Sequence, residues 1–234
     1  MKNLILASTS TVYGSDYLDY LKPALIRHFN KVSELLFIPY ARPGGLTHDS
    51  YTELVRNAFA ALQITVRGIH EYPDPKAAVQ KAQGIFVGGG NTFVLVNELY
   101  KQELMAPLKQ AIDKGTPYLG TSAGSNICGI SMQTTNDMPI VAVPSYQTLG
   151  SIPFNINAHY LDPDPDSTHK GETREERIRE FHNFNDLPVL GLREGSWLEV
   201  NDREIRLLGS LPLRLFKKEL APVEVQPGEN LMEY

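Results

Sequence analysis

The segment YLGTSAGSN at residues 118–126 is the most informative stretch of the sequence. Tyr118 and Leu119 form a short apolar run that is typical of a buried strand, and the small residues that follow are compatible with a helix start. Between them, residues 120–124 have the form G-x-S-x-G. This pattern is typical of a sharp strand-to-helix turn that raises a serine hydroxyl above the edge of a sheet. The segment therefore predicts a strand, a tight turn carrying Ser122, and a helix.

Short apolar runs alternate with amphipathic stretches on the N-terminal side of this turn. Such runs are typical of strands buried on both faces, and they lie at Leu4 to Ala7, Leu35 to Tyr40, Ile64 to Ile69 and Ile85 to Val87. The alternation predicts a parallel sheet with helices on both faces, and ligands bind such sheets beyond the carboxyl ends of the strands.

Two of the intervening helices are predicted in detail. One follows Ser50, where Ser50 and Glu53 form a capping box ahead of an apolar stripe. The other places Leu108 and Ile112 on one face and ends at Lys114 and Gly115, because the C-terminus of a helix favours a cation followed by glycine.

The C-terminal half has a different pattern. Met138 to Val143 and Pro188 to Leu192 are predicted as further strands, whereas the runs at Trp197 to Val200, Ile205 to Leu208 and Leu213 to Phe216 are short, separated by turns and typical of antiparallel strands. We expect one α/β domain over residues 1–234. Its fold is predicted as three-layer and doubly wound, flavodoxin-like, with a mostly parallel sheet and a C-terminal antiparallel hairpin at the edge.

Composition limits the classes of function. The chain of 234 residues has a net charge of -5, which argues against broad attraction to nucleic acid or anionic lipid. Cys128 is the only cysteine, which excludes an internal disulfide and a cysteine-based zinc site. The apolar run near the N-terminus is interpreted as a strand rather than a signal peptide, and no stretch has the length of a membrane span. We expect a cytoplasmic protein without metal or organic cofactor.

A second glycine-rich segment, Gly88 to Thr92, also follows a predicted strand. Its unshielded backbone N–H groups could form half of an oxyanion hole, with the N–H of Ala123 as the other half. A phosphate cradle is the rival interpretation, but G-x-x-x-x-G-K-[ST] is absent and G-x-G-x-x-G fails at Phe93. Alternatively, residues 88–92 form a turn with no role in catalysis, and Ser122 is not a nucleophile.

A serine nucleophile needs a base and an orienting acid. Six histidines are available: His28, His48, His70, His159, His169 and His182. His159 is the best candidate because it follows an apolar segment beyond the serine turn, and His169 is second. Class I glutamine amidotransferases, which share this α/β architecture, use a His-x-Glu pair, but position 161 is Leu here. Glu194 and Asp137 remain as alternative acids.

Five motifs together resemble the peptidase E family, and the resemblance runs from about residue 2 to the C-terminus. The motifs are GGGNTF at 88–93, GTSAGSN at 120–126, TTNDMPI at 134–140, HKGETREERI at 169–178 and GLREGSW at 191–197. That family comprises cytoplasmic α-aspartyl dipeptidases with a Ser-His-Glu triad. The resemblance implies Ser122 as nucleophile, His159 as base, Glu194 as orienting acid, and the N–H groups of Gly90 and Ala123 as oxyanion donors.

The resemblance also implies a substrate, a dipeptide with an unblocked N-terminal aspartate. An arginine can grip the aspartate carboxylate with two parallel hydrogen bonds, and Arg174 is favoured for this role over its neighbours Lys170 and Arg177. Asn91 and Asp137 are predicted to line the substrate site.

Two residues depart from the family pattern. Thr121 stands where the family commonly has Trp, and Ala158 where it commonly has Pro, so the pocket beside the serine is expected to differ in shape. A cyanophycinase-like serine hydrolase and a non-catalytic ligand-binding module are the alternative functions. A monomer and a homodimer are both compatible with the sequence.

Overall fold

The computed structural model describes residues 2–164, 166, 168 and 170–234. In chain order the strands are β1 (Leu4–Ala7), β2 (Glu34–Ile38), β3 (Thr65–Gly68), β4 (Ile85–Val87), β5 (Tyr118–Thr121), β6 (Asn155–Ala158), β7 (Val189–Leu192), β8 (Ser196–Val200), β9 (Ile205–Gly209), β10 (Leu213–Phe216) and β11 (Val223–Val225). The α-helices are α1 (Lys22–His28), α2 (His48–Ala60), α3 (Pro75–Lys81), α4 (Thr92–Lys101), α5 (Met105–Asp113), α6 (Ala123–Asn126) and α7 (Arg174–His182).

The central sheet has the strand order β3-β2-β4-β5-β1-β8-β9. Strands β1 to β5 are all parallel, while β8 runs antiparallel to β1 and β9 antiparallel to β8. The predicted α/β fold with a mostly parallel sheet and an antiparallel hairpin at its edge is therefore confirmed. Because β1, β4 and β5 are neighbours, the segments that follow them meet at one edge of the sheet.

A second sheet, which the sequence interpretation did not separate from the first, has the order β11-β10-β7-β6. Strand β6 is parallel to β7, with Ala158 paired to Leu192, and β10 is antiparallel to β7. The run at Leu213–Phe216 thus belongs to this second sheet and not to the edge hairpin. The pairing of Ala158 with Leu192 brings the residues after β6 and β7 side by side.

The hydrophobic core lies on both faces of the central sheet. Alternate residues of β1 face opposite ways, as the two-residue period of a strand requires. Ile5 belongs to a cluster that includes Phe37 and Phe86. Leu6 belongs to a larger cluster that also contains Leu190 of the second sheet. The two sheets therefore share a hydrophobic core. A single domain over residues 1–234 stays a prediction, and one cooperative unfolding transition would support it.

Two local predictions were wrong. Helix α2 begins at His48, not after Ser50, because the Thr47 side chain caps it by accepting a hydrogen bond from the Ser50 N–H. The predicted strand at 138–143 does not form: Met138 and Ile140 are exposed, at 74% and 53%, and Pro139 has no N–H to donate to a ladder. By contrast, α5 ends as predicted, with Gly115 at a φ of +94°. No helix in the described ranges has the length and apolar character to cross a membrane.

Candidate active site

Ser122 lies in the tight turn between β5 and α6, with φ 52° and ψ -110°. A non-glycine residue rarely adopts a positive φ, so the surrounding structure must hold this conformation. Its N–H donates to the Ala7 carbonyl at 3.0 Å, which anchors the turn to β1. A Cβ on Gly124 would lie 2.1 Å from the Val87 carbonyl oxygen, so only glycine lets α6 approach β4 this closely. The turn exposes part of the serine while its neighbours are buried.

The Gly88 to Gly90 turn lies directly against Ser122. A Cβ built on Gly89 would be 3.1 Å from the Ser122 Cβ, and Gly90 has a φ of +144° with the Ala41 carbonyl 2.2 Å from where its Cβ would be. Neither the Gly90 N–H nor the Ala123 N–H donates to another residue within the described part of the chain. Two backbone donors beside a serine could stabilise an oxyanion.

The His159 imidazole lies between Ser122 and Glu194. Its Nδ1 is 2.5 Å from the Glu194 Oε1 and its Nε2 is 2.8 Å from the Ser122 Oγ. An ionised carboxylate can only accept, so Nδ1 carries the proton and Nε2 is left to accept from the serine hydroxyl. The structure thus brings together the three residues predicted as nucleophile, base and acid. This chain of hydrogen bonds is the arrangement that acyl transfer by a serine requires.

The sheet pairing explains why these residues meet. His159 comes directly after β6 and Arg193 directly after β7, so the register of the two strands places Glu194 beside the imidazole. The pair is half-exposed, with 37% of the His159 side chain and 49% of the Glu194 side chain accessible. The nearby Tyr20 is half-buried, and burial together with the Glu194 charge raises the pKa of its phenol.

A partly buried ion cluster around Arg193 supports the loops that carry the base and the acid. The Arg193 guanidinium donates to both carboxylate oxygens of Asp162, at 2.8 and 2.6 Å, and also to Glu224. The hydrogen bonds from Arg193 hold the pKa of Asp162 below its usual range, although partial burial opposes this. Asp162 follows His159 by three residues and Arg193 precedes Glu194, so the ion pair ties the two segments together.

Sequence reasoning missed two residues that hold the base. Asn136 donates from Nδ2 to the Ala158 carbonyl at 2.7 Å, and Ser8 accepts from the His159 N–H at 2.9 Å. Asn136 lies in one of the family-like motifs, and its amide also pairs with Asn157. The only sequence signal for Asn136 was its place in that motif, and Ser8 gave no signal because it follows an ordinary buried strand.

The predicted substrate residues Asn91 and Asp137 have structural contacts. Asn91 caps α4 by accepting from the Val94 N–H, and its amide donates to the Met138 carbonyl. The Asp137 Oδ2 accepts from the Thr92 N–H at 2.8 Å and from two threonine hydroxyls. Its Oδ1 has no hydrogen-bond partner among the described residues. A role of either residue in binding substrate stays a prediction.

Arg174 is half-buried at the start of α7, unlike the exposed Arg177 and Arg179 of the same helix. Those two pair with Glu172 and Glu175, whereas Arg174 forms no ion pair with any described residue. Burial lowers the pKa of Arg174, and the carboxylates of Glu194 and Asp137 act in the opposite direction. A guanidinium with unused donors therefore lies within electrostatic range of the His159 partner and of Asp137.

The histidines other than His159 do not contact Ser122 in the described part of the chain. His169, the second candidate for the base, lies outside the described residues. His28 contacts the Tyr118 carbonyl through Nε2, and burial lowers its pKa to about 4. His70 pairs with Asp49, and His182 contacts the Leu187 carbonyl. Across the ranges that the structure describes, no three His, Cys, Asp or Glu side chains are grouped to hold a metal ion.

Comparison with known proteins gives one consistent match. The profile of peptidase family S51 matches residues 4–208. A protein named Peptidase E from Streptomyces coelicolor is 51% identical over 231 residues, covering 99% of this chain and 94% of its own length. A probable alpha-aspartyl dipeptidase from Drosophila melanogaster is 45% identical over 233 residues, with 98% and 96% covered.

Solved structures agree on the fold. A putative peptidase E protein from Listeria monocytogenes EGD-e has a TM-score of 0.66 at 22% identity, covering 90% of this chain and 99% of its own. A peptidase from an acI-B1 actinobacterium has a TM-score of 0.69 at 16% identity, with 99% and 96% covered. At these identities the structural similarity supports the fold assignment alone.

Proposed function

This chain belongs to peptidase family S51, and we propose that it is a serine-type dipeptidase that hydrolyses dipeptides with an unblocked N-terminal L-aspartate. The observation that carries the proposal is the hydrogen-bonded chain from Ser122 through His159 to Glu194, beside two unused backbone donors. The names of the relatives, Peptidase E and probable alpha-aspartyl dipeptidase, support the choice of substrate.

Acylation follows from the geometry. The Ser122 Oγ attacks the carbonyl carbon of the aspartyl residue while its proton passes to the His159 Nε2, 2.8 Å away. Negative charge develops on the carbonyl oxygen, and the N–H groups of Gly90 and Ala123 would stabilise it, each such donor being worth about 3 kcal/mol in the transition state. Glu194 stabilises the imidazolium that forms. The C–N bond then breaks as Nε2 returns the proton to the leaving amine.

Deacylation reverses the same steps with water as nucleophile. His159 takes a proton from the water, the resulting hydroxide attacks the aspartyl ester, and the proton is returned to the Ser122 Oγ as the ester bond breaks. The products are free aspartate and the second amino acid. The reaction as written needs only the side chains and the backbone donors already named.

The recognition of aspartate would rest on opposite charges around the serine. Arg174 offers guanidinium donors without a described carboxylate partner, which suits bidentate binding of the substrate side chain. The Asp137 Oδ1 offers a negative charge for the substrate ammonium, while Oδ2 stays bound to Thr92. A requirement for a free N-terminus would follow, since a blocked amine has no positive charge.

A dipeptide panel tests the proposal directly. We expect cleavage of Asp-Leu, with at least a hundredfold lower kcat/KM for Glu-Leu, β-Asp-Leu and N-acetyl-Asp-Leu. Ser122→Ala is the matched control, and any activity it retains measures contaminating peptidases. Preferred cleavage of β-aspartyl substrates would favour a cyanophycinase-like hydrolase. Failure of the parent to react with a serine-directed organophosphonate would favour a non-catalytic binding module.

We also propose a cytoplasmic location, on the strength of the family resemblance. A peptidase that requires a free dipeptide would there receive the short products of intracellular protein breakdown. Fractionation of cells expressing the tagged protein, with a secreted and a cytoplasmic marker as controls, tests this. Recovery with the secreted marker would contradict it.

A further inference from the structure

Ser8 is the first residue after β1 and is fully buried. Its hydroxyl donates to the Leu192 carbonyl at 2.7 Å and accepts from the His159 N–H at 2.9 Å. Its own N–H donates to the Ser196 carbonyl at 3.2 Å. Leu192 ends β7 of the second sheet, so one buried hydroxyl joins the central sheet to the two segments that carry the base and its acid.

The preceding residue holds the nucleophile. The Ala7 carbonyl accepts from the Ser122 N–H at 3.0 Å. Two consecutive residues of one strand end therefore hold the backbones of both reacting residues: Ala7 holds Ser122 and Ser8 holds His159. The positions of Ser122 and His159 relative to each other depend on this short stretch of chain.

The hydrogen bond from the His159 N–H to Ser8 stabilises an unfavourable backbone conformation of His159. His159 has a φ of +54°, which costs free energy for a residue with a β-carbon. That backbone conformation aims the ring at both Ser122 and Glu194. If the His159 N–H lost its acceptor, only packing and the Asn136 bond to the preceding Ala158 carbonyl would hold this conformation.

We propose that Ser8 is a positioning residue that fixes the His159 backbone, and through it the 2.8 Å contact between Nε2 and the Ser122 Oγ. The role rests on the proposed function in assigning His159 as the base. Ser8 acts through His159, and being fully buried it does not contact substrate. Its loss should therefore change the rate of chemistry more than substrate binding.

The test compares Ser8→Ala with Ser131→Ala. Ser131 is also buried, and its hydroxyl also joins two segments: it accepts from the Asn155 Nδ2 and the Gln133 N–H and donates to the Gln133 Oε1. Its partner Asn155 begins β6, four residues and about 13 Å along the chain from His159. The control thus removes an equivalent hydroxyl in the same sheet region without touching the triad residues.

For Ser8→Ala we expect kcat on Asp-Leu to fall about ten- to a hundredfold with KM within threefold, since small displacements of reacting groups cost about this much. The rate of organophosphonate labelling should fall by the same factor. Ser131→Ala should keep both rates within about threefold of the parent. Equal losses in the two variants, or none in Ser8→Ala, would overturn the proposal.

A measurement without turnover separates this proposal from the proposed function. NMR of isotope-labelled histidine, assigned with His159→Ala, reports the hydrogen bonds at both ring nitrogens of His159. We expect these signals to shift in Ser8→Ala and to match the parent in Ser131→Ala. Unchanged signals in folded Ser8→Ala would overturn the proposal, whichever dipeptides the parent cleaves. A parent that cleaves no Asp-X dipeptide would instead overturn the proposed substrate.

Discussion

The turn that carries Ser122 and the segments that carry His159 and Glu194 are held in place by different means. The serine turn joins β5 of the central sheet to α6. Main-chain bonds and close glycine contacts determine its geometry, and the buried hydroxyls of Ser125 and Tyr118 donate to main-chain carbonyls within it. The base and the acid follow strands of the second sheet. Side chains of Ser8, Asn136 and Arg193 hold those segments.

The difference bears on how each half tolerates substitution. Main-chain geometry depends on the fold as a whole, so side-chain changes around Ser122, other than at Ser125 and Tyr118, should leave its position intact. The segments that carry His159 and Glu194, here called the base half of the site, depend on particular polar side chains. Removing one of these side chains leaves its partner without a hydrogen bond. Activity should therefore be more sensitive to distant polar substitutions on the base side than on the serine side.

The largest expected effect comes from Ser122→Ala. It removes the nucleophile, and we expect kcat/KM on Asp-Leu to fall by about 10⁴-fold or more. Because the Ser122 N–H bond to Ala7 is a main-chain contact, the free energy of unfolding should stay within about 0.5 kcal/mol of the parent. Steady-state kinetics and urea unfolding of the same preparation measure both. Activity within tenfold of the parent would remove Ser122 from its role.

Glu194→Gln and Asp137→Asn should have unequal effects on the base. Only Glu194 contacts the imidazole, so its amide variant should lose about 10²- to 10⁴-fold in kcat through the wrong tautomer and an unsupported imidazolium. Asp137→Asn weakens the bonds to Thr92 at the start of α4 and should cost less in kcat.

The comparison is made at saturating Asp-Leu, where a weakened grip on the substrate ammonium no longer lowers the rate. Circular dichroism on each purified variant confirms folding first. A larger loss in Asp137→Asn would transfer the orienting role to that carboxylate and place the acid on the loop between the two sheets.

Arg174→Lys should lose about a hundredfold in kcat/KM on Asp-Leu without gaining activity on Ala-Leu. Lysine keeps the charge but lacks the planar fork that binds a carboxylate bidentately. The matched control is Arg177→Lys, on the same helix but exposed and paired with Glu172; it should behave like the parent, because exposed pairs contribute about 0 to 1 kcal/mol. Equal behaviour of the two variants would remove Arg174 from the substrate pocket.

The central sheet could be predicted from the sequence because its strands are continuous apolar runs between recognisable helices. Leu4 to Ala7 and Ile85 to Val87 were predicted with their observed bounds. The position of Ser122 in a strand-to-helix turn also followed from local pattern. These features depend on residues that are close together in the chain.

The second sheet and the supports of the base could not be predicted in the same way. Leu213 to Phe216 has the same local pattern as the edge hairpin, and only long-range pairing with β7 assigns it to another sheet. Ser8 lies 151 positions from His159 and does not differ in pattern from any serine after a strand. The choice of Glu194 over Asp137 likewise came from family resemblance, because residue spacing left both open.

The smallest expected effect concerns Asp162→Asn, which weakens the ion pair with Arg193 that ties the His159 segment to the Glu194 segment. Asp162 is 49% exposed, so we expect a loss of only about 1 kcal/mol in the free energy of unfolding. If side chains hold the base half, kcat should also fall by about two- to fivefold. Glu199→Gln, which breaks the Arg27 pair on the serine side, should leave kcat unchanged.

The loss of unfolding free energy in Asp162→Asn should depend on pH. Arg193 depresses the pKa of Asp162 in the folded state, so the ion pair stabilises the fold above the unfolded pKa of about 3.9. The stabilisation is lost as the pH falls through the lower, folded pKa. The difference in unfolding free energy between the parent and Asp162→Asn should therefore be full at neutral pH and shrink below about pH 4. A difference in unfolding free energy that does not change with pH would mean that packing, not charge, holds this segment. Equal kcat values for Asp162→Asn and Glu199→Gln would show that the base half does not need the ion pair with Arg193.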